Sequence, residues 1–406
     1  MFQSLRTRYK ERVLQLEALG HRGSATVGED RAADLLCEDL RSMGLHAQKE
    51  GFLGSNSNGA RLLVHVLVAL SGAVLFWTVP WATFGLGLAA LLSLLIETTT
   101  RTSLLSRHLM QSPSRNVVAT LPATSKEPKA RVVLMAHYDT QRTGWLWNQG
   151  AAGKLAPLLM KAPGILKAPL LLTLLAMVLQ PILALFAIFG VGMSWVVWVH
   201  VFVLILHIAG AVILGQWAFG RFVPGANDNA TGTAAVLTMA EALLEQRPDD
   251  VEVQMVLTGC EETGLLGAAA WAEAHREEWE SLPTTFLNID SLGYGAPCFL
   301  GGEYTLAGIP VHYDPDMLGL CQEVANEMGL EDAGPVVIPV QTDSLALIVR
   351  GLKGVGILCR TEEGHMPNYH LPTDTSERMD FDVAWRGTEF AWSLLQKMLQ
   401  DPRCQR

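Results

Sequence analysis

Positive charge is scarce in this 406-residue chain: 30 Lys and Arg stand against 40 Asp and Glu, a net charge of -10. That balance argues against a nucleic-acid partner, which needs a basic face. Charge of either sign is thin, 17% of residues against 50% hydrophobic, so part of the chain is expected to sit in lipid. Cysteines are few and scattered: Cys37, Cys260, Cys298, Cys321, Cys359 and Cys404. None forms a CxxC pair, so neither a thiolate zinc site nor a disulfide framework is expected. Isolated buried thiols in a reducing compartment are the expectation. The opening segment, Met1 to Gly20, mixes charges with single apolar residues and lacks the apolar run of a signal peptide. Internal repeats and low-complexity segments are absent as well.

Two long stretches lack Asp, Glu, Lys and Arg altogether. One runs from Leu62 to Ile96, the other from Ala168 to Gly220. The second, 53 residues, is roughly 80 Å as helix, enough for two crossings of a core about 30 Å thick, with a turn over Phe189 to Ser194. The first, 35 residues with Pro80 near its middle, is roughly 52 Å as helix. It reads as a short hairpin that thins the bilayer or dips in without fully crossing. Core helices of a soluble protein are usually amphipathic and far shorter. The expected division is therefore one charged domain in three segments, 1–61, 97–167 and 221–406, interrupted by membrane hairpins 62–96 and 168–220.

Each hairpin returns the chain to the side it left. Arg61, Arg101, Arg107, Lys154, Lys161, Lys167 and Arg221 flank the hairpins, while the two turns carry no Lys or Arg. The positive-inside rule then puts the charged domain in the cytoplasm. Trp77, Trp81, Trp195 and Trp198 suit the opposite interface. The expected location is a bacterial inner membrane. His200 and His207 share a helix face and are expected to pack helices. Without intramembrane Asp, Glu, Lys or Arg, an ion-path reading is weak.

Outside the hairpins an α/β pattern remains. Gly28 to Leu45 reads as an amphipathic helix, and Thr231 to Gln246 as another. Short β-rich runs begin at Asn116, Val132, Val251, Thr285, Val336 and Val355. The alternation predicts a mostly parallel central sheet flanked by helices, with ligands at the carboxyl ends of its strands.

Five segments carry the chemistry. Ala136-His137-Tyr138-Asp139-Thr140 offers an imidazole at a strand end, with a carboxylate two residues on to orient it. Gly225 to Gly232 presents Asp228 on a Gly- and Asn-rich turn, where it could equally cap a helix. Cys260-Glu261-Glu262-Thr263-Gly264 sets two carboxylates side by side, and these repel unless something positive lies between them. Asp290 closes another strand, and Tyr369-His370 lies in a late loop before Asp374. Imidazole and carboxylate are zinc ligands; two ions need a shared carboxylate and further ligands on each.

The order His, Asp, Glu-Glu, Asp, His, with the flanks AHYDT, GANDNATG and CEETGLLGA, resembles the zinc-dependent exopeptidase family of the bacterial double-zinc aminopeptidases, glutamate carboxypeptidase and glutaminyl cyclase. The opening HRGSATVGEDRAADLL is similar to that family's start. The resemblance implies two zinc ions bridged by Asp228, with His137 and Asp290 on one and Glu262 and His370 on the other. It implies Glu261 as general base toward a bridging water, Asp139 orienting His137, and Tyr369 steadying the oxyanion. It further implies an aminopeptidase acting on peptides; a single-zinc cyclase and a non-catalytic receptor or scaffold are the other readings. Ordinary family members keep the segment between His137 and Asp228 short. Thr342-Asp343-Ser344 stands where the family often has Ser-Asp-His, and Asp343 stays unassigned. Cobalt or manganese could replace zinc in such a site, and the oligomeric state is open.

Overall fold

The computed structural model describes residues 2–99, 103–109, 111–147, 171–364 and 366–405. The described helices are α1 Phe2–Glu17, α2 Val27–Ser42, α3 Asn58–Val74, α4 Pro80–Glu97, α5 Leu104–Leu109, α6 Leu171–Ile188, α7 Met193–Ala218, α8 Thr231–Glu245, α9 Leu266–Ala274, α10 Arg276–Ser281, α11 Pro315–Glu327, α12 Asp343–Ile348 and α13 Phe381–Met398. The strands are β1 Ala47–Gly54, β2 Ser112–Leu121, β3 Ala130–His137, β4 Val251–Thr258, β5 Thr284–Ile289, β6 Ala296–Tyr304, β7 Pro310–His312, β8 Pro335–Ile338 and β9 Lys353–Arg360.

The strands form one sheet in the order β1-β2-β4-β3-β5-β9-β6-β7, with β8 added beside β6. Parallel pairing holds the centre, β4-β3-β5-β9, while β1, β2 and β7 pair antiparallel. The chemistry of β3 explains its place. ARVVLMAH is buried at every position, as a strand covered by helices on both faces must be. The strands least visible in the sequence lie toward the margins: β1 carries the consecutive polar residues Gln48, Lys49 and Glu50, β6 contains two glycines, and β7 is three residues long. Helix α2 starts where Thr26 caps Gly28 N (3.2 Å). It stops at Ser42, short of Leu45, because Gly44 takes φ +84° just beyond it. All six cysteines are buried and unpaired.

Helices α3 and α4 form one hairpin, α6 and α7 the other. By length and composition α4, α6 and α7 suffice to cross a membrane, and α3 is a shorter apolar helix. At 17 and 18 residues, α3 and α4 run past the uncharged stretch at both ends. Arg61 and Glu97 form a buried ion pair at their shared base, so the terminal charges neutralise each other; α3 begins four residues before the uncharged stretch and α4 ends one residue after it. The turn between α6 and α7 falls at Phe189–Gly192, inside the expected segment. Arg101, Lys154, Lys161 and Lys167 lie outside the described residues.

One polar node joins the two hairpins. The Gln180 amide donates to Ala69 O (3.0 Å) and Thr83 O (3.3 Å), and its oxygen meets His207 Nε2 at 2.8 Å. A β-carbon at Gly72 or Gly87 would press on the Gln180 side chain. His200 stacks on Phe76 at 3.9 Å, so both histidines pack helices together. The outer surface of the bundle is apolar, with Leu67, Leu92, Leu172, Ile182, Ile205 and Val212 among its exposed residues.

Candidate active site

The parallel centre of the sheet brings three chain segments to one edge. His137 is the last residue of β3, Glu261 and Glu262 follow β4, and Asp290 follows β5. The pairs His137↔Thr258 and Met135↔Asn288 put these ends level. The loop before α8 adds Asp228, and the loop after β9 adds His370. None of the six side chains is more than 9% exposed as a residue.

Asp228 stands between the two imidazoles. Its Oδ1 lies 3.2 Å from His137 Nε2, and its Oδ2 lies 3.1 Å from His370 Nε2. His137 Nε2 is also 3.7 Å from Asp290 Oδ2, and His370 Nε2 is 3.1 Å from Glu262 Oε2. The ligand atoms of His137, Asp228 and Glu262 fall within 4.8 Å of one another, as do those of His137, Glu261 and Asp290. Asp228 is not a helix cap. Ala230 holds that position on α8, with no side-chain capping bond.

The electrostatics follow from burial. Burial opposes charge on His370, yet Glu262 and Asp228 outweigh it and lift its pKa to about 9. Burial would raise Asp228, but the two imidazoles hold it well below the carboxylate range. Burial pushes Glu262 up to about 7, with Asp228 adding to it against His370. Burial drives Glu261 up strongly; His137 opposes this, while Glu262, Asp343 and Asp290 reinforce it. So many buried carboxylates cannot all ionise without cations among them. Asp228 Oδ2, Glu262 Oε1 and both nitrogens of His370 are buried with no hydrogen-bond partner. Close N–O approaches without hydrogen-bond geometry, in an all-oxygen and imidazole donor set, fit zinc.

The shell that holds these ligands includes residues outside the sequence reading. The Asp139 carboxylate accepts Glu261 N (3.0 Å), Glu262 N (3.3 Å) and Ser24 Oγ (2.6 Å). Its main-chain oxygen lies 3.2 Å from His137 Nδ1. It therefore steadies the Glu-Glu loop as well as the imidazole. Asp374 accepts Asn227 N (2.9 Å) and Asp228 N (3.1 Å). Buried Arg22 donates to Tyr138 O, Pro224 O and Gly225 O at 2.7, 2.8 and 2.7 Å. Gly225 takes φ +66°, and a β-carbon there would collide with Asp228 O and Thr140. Gln141 Nε2 donates to both Glu262 Oε2 and Glu262 O at 2.9 Å. Asp343 is buried against Thr258 and raised to about 7 by burial. Tyr369 stacks on His370 at 3.7 Å, and Trp147 meets both rings edge-on. Arg22, Gln141 and Asp374 adjoin the recognisable motifs, in HRGSAT, just after AHYDT, and in HLPTDT. Nothing in spacing alone marks Trp147.

Comparison with known proteins gives the class first. The fold is that of the zinc exopeptidases. A zinc-dependent exopeptidase from Parabacteroides distasonis superposes with a TM-score of 0.54 at 11% identity, covering 97% of each chain. A zinc aminopeptidase from Bacillus subtilis gives 0.55 at 14% identity, over 96% of this chain and 94% of that one. A Bacteroides thetaiotaomicron glutaminyl cyclase gives 0.55 at 13%, covering 96% of each. Residues 211–395 match the profile of peptidase family M28. Aminopeptidase YwaD of Bacillus subtilis is 38% identical over 72 residues, which span 18% of this chain and only 16% of that protein.

Proposed function

We propose that this protein is a membrane-anchored di-zinc aminopeptidase. The observation that carries the reading is Asp228, whose two oxygens face different histidines at 3.2 and 3.1 Å. One half of the cluster is then His137 and Asp290, the other Glu262 and His370, with Asp228 shared. Zinc bound there supplies Lewis acidity toward a carbonyl and lowers the pKa of water.

The chain's own groups do the rest. Glu261, whose carboxyl burial raises strongly, suits a base that takes a proton from the attacking water and passes it to the leaving amine. Tyr369 lines the same cavity as His137, Asp228 and Glu261 and is oriented by its stack on His370. Its hydroxyl would donate to the developing oxyanion. Asp139 keeps the Glu261–Glu262 backbone in register with His137. Segments 1–61, 97–167 and 221–406 form the catalytic domain, and hairpins 62–96 and 168–220 anchor it in a bacterial inner membrane with the domain cytoplasmic.

The test is metal content per chain together with hydrolysis of amino-acid arylamides before and after chelation. Two zinc ions and chelator-sensitive hydrolysis are expected; one zinc would favour the cyclase-like reaction. Glu261→Gln should retain both ions while turnover falls roughly 10²–10⁴-fold, the range for a lost general base. Wild-type turnover in that variant rules out Glu261 as the base.

A further inference from the structure

The cleft beside the metal cluster is not closed by the catalytic domain alone. A cavity of about 110 Å³ opens against Glu261, Glu262 and His370, and its walls include Asn58 and Leu62 from the first turns of α3 and Trp217 from the last turn of α7. These are the feet of the two apolar hairpins. Leu146, Trp147 and Leu306 are among the other apolar residues that line it. Trp147 packs edge-on against Trp217 at 5.6 Å. Leu62 and Trp217 belong to the buried core of the hairpin bundle, and Trp147 and Leu306 pack onto that core from outside it.

Hydrogen bonds tie both feet to the acidic loop. Arg61, at the base of α3, donates to Thr263 O, next to Glu262. Trp217 Nε1 donates to Gln141 Oε1 (3.3 Å), and the Gln141 amide holds Glu262. Around the feet, Phe219, Trp145 and Leu146 stay exposed at 85%, 63% and 40%. Trp145 sits beside the last turn of α7, where its amide donates to Gln216 Oε1 (2.6 Å), and an exposed tryptophan beside the end of a membrane-length helix suits the level of the lipid headgroups. That would set the mouth of the cleft at the bilayer surface.

We propose that the hairpin feet form one wall of the substrate cleft, and that the substrates are peptides held at the bilayer surface with an apolar leading residue seated between Leu62, Trp147 and Trp217. The proposal rests on the hydrolase reading above and adds the substrate class. The cavity volume suits one apolar side chain; a dry cavity of roughly 150 Å³ admits a benzene ring. An acidic leading residue would lose its water against Leu62 and Trp217 while facing the carboxylates of Glu261 and Glu262.

The test uses the full-length Glu261→Gln protein in phosphatidylcholine nanodiscs. The probe is a tetrapeptide with the leucine-sized diazirine photo-leucine first and a palmitoylated lysine last. Its backbone spans only about 14 Å, so an anchored peptide reaches the cleft only if the cleft lies near the lipid. Photo-adducts mapped to the first turns of α3 and the last turn of α7, reduced at least tenfold by excess Leu-first peptide but not by Asp-first peptide, are expected. Adducts confined to other surfaces, or none, overturn the proposal, as does adduct formation only by the peptide lacking palmitate. On wild-type protein, Leu-first over Asp-first acylated peptide should be favoured at least tenfold in kcat/KM. Leu62→Asp and, independently, Trp147→Ala should lower that ratio; a ratio unchanged in both overturns the subsite. Adducts at the hairpin feet without hydrolysis of any peptide would sink the aminopeptidase reading and leave the subsite standing. Hydrolysis without selectivity would do the reverse.

Discussion

At the residue scale, the site is a problem of holding like charges together. Asp228, Glu261, Glu262 and Asp290 are buried within one cluster, and each must be fixed by neighbours that are not themselves ligands. Gln141 is the clearest of these, because its amide bonds both the carboxylate and the carbonyl of Glu262. Replacing Gln141 with Leu keeps the volume and removes the donor. Zinc affinity, read by competition with a chromogenic chelator, should fall 10–100-fold, the usual cost of losing such support; unchanged affinity would show that Gln141 is only a spacer. Glu303 offers a prediction in pH. Burial raises it to about 7, although Tyr313 and the Thr342 amide and hydroxyl donate to it. Its folded pKa lies above the ordinary 4.5, so the folded state holds the proton more tightly than the unfolded chain. Stability should then decline as pH rises from about 4.5 to about 7 and level off beyond. Glu303→Gln should flatten that part of the pH profile in thermal melts, and an unchanged slope would remove Glu303 as its source.

At the element scale, the hairpins are joined through polar atoms inside an apolar bundle. In the membrane setting proposed above, lipid is as apolar as leucine, so burial alone would give the four helices little reason to associate. Gln180 supplies a reason by bridging α3, α4 and α7 from α6. Gln180→Leu should lower stability in detergent by about 0.6–2 kcal/mol, summed over bonds that average about 0.6 kcal/mol each in membranes. Thermal unfolding followed at the tryptophans of the hairpins reads this. No change would mean that packing of Gly72 and Gly87 carries the association. The ion pair of Arg61 with Glu97 belongs to the same scale. It closes the base of the first hairpin and, through Thr263, fastens that base to the Glu261–Glu262 loop.

At the scale of the whole molecule, the α/β domain and the apolar helices share one buried surface, with Trp147 and Leu306 packed on the bundle core. Metal removal should therefore be felt throughout. A ligand that binds only the folded state stabilises it by about 4 kcal/mol at a thousandfold excess over its Kd. Stripping zinc also leaves the carboxylates of the cluster facing one another. We expect chelation to lower the melting temperature by several degrees, with zinc restoring it. A melting temperature indifferent to chelator would mean that the cluster holds no tightly bound ion.

Much of this was legible in the chain itself. Hydrophobic runs without charge announce the long apolar helices, whose side chains pack on one another without ionic partners along their length. Alternation of β-rich and helical segments announces the α/β sheet, and AHYDT, GANDNATG and CEETGLLGA announce the chemistry. Those signals are local: each depends on neighbours a few residues away. The marginal strands β1, β6 and β7 left no such mark, because a run of polar residues, glycines and brevity weaken their pattern. The tertiary structure alone decided that the two oxygens of Asp228 face different histidines. It alone placed Gln141, Arg22 and Asp374 behind the cluster and brought Leu62 and Trp217 to the edge of the cleft. Those residues are separated by up to hundreds of positions, and contact at such range is set by how sheet and helices pack, which no local periodicity encodes.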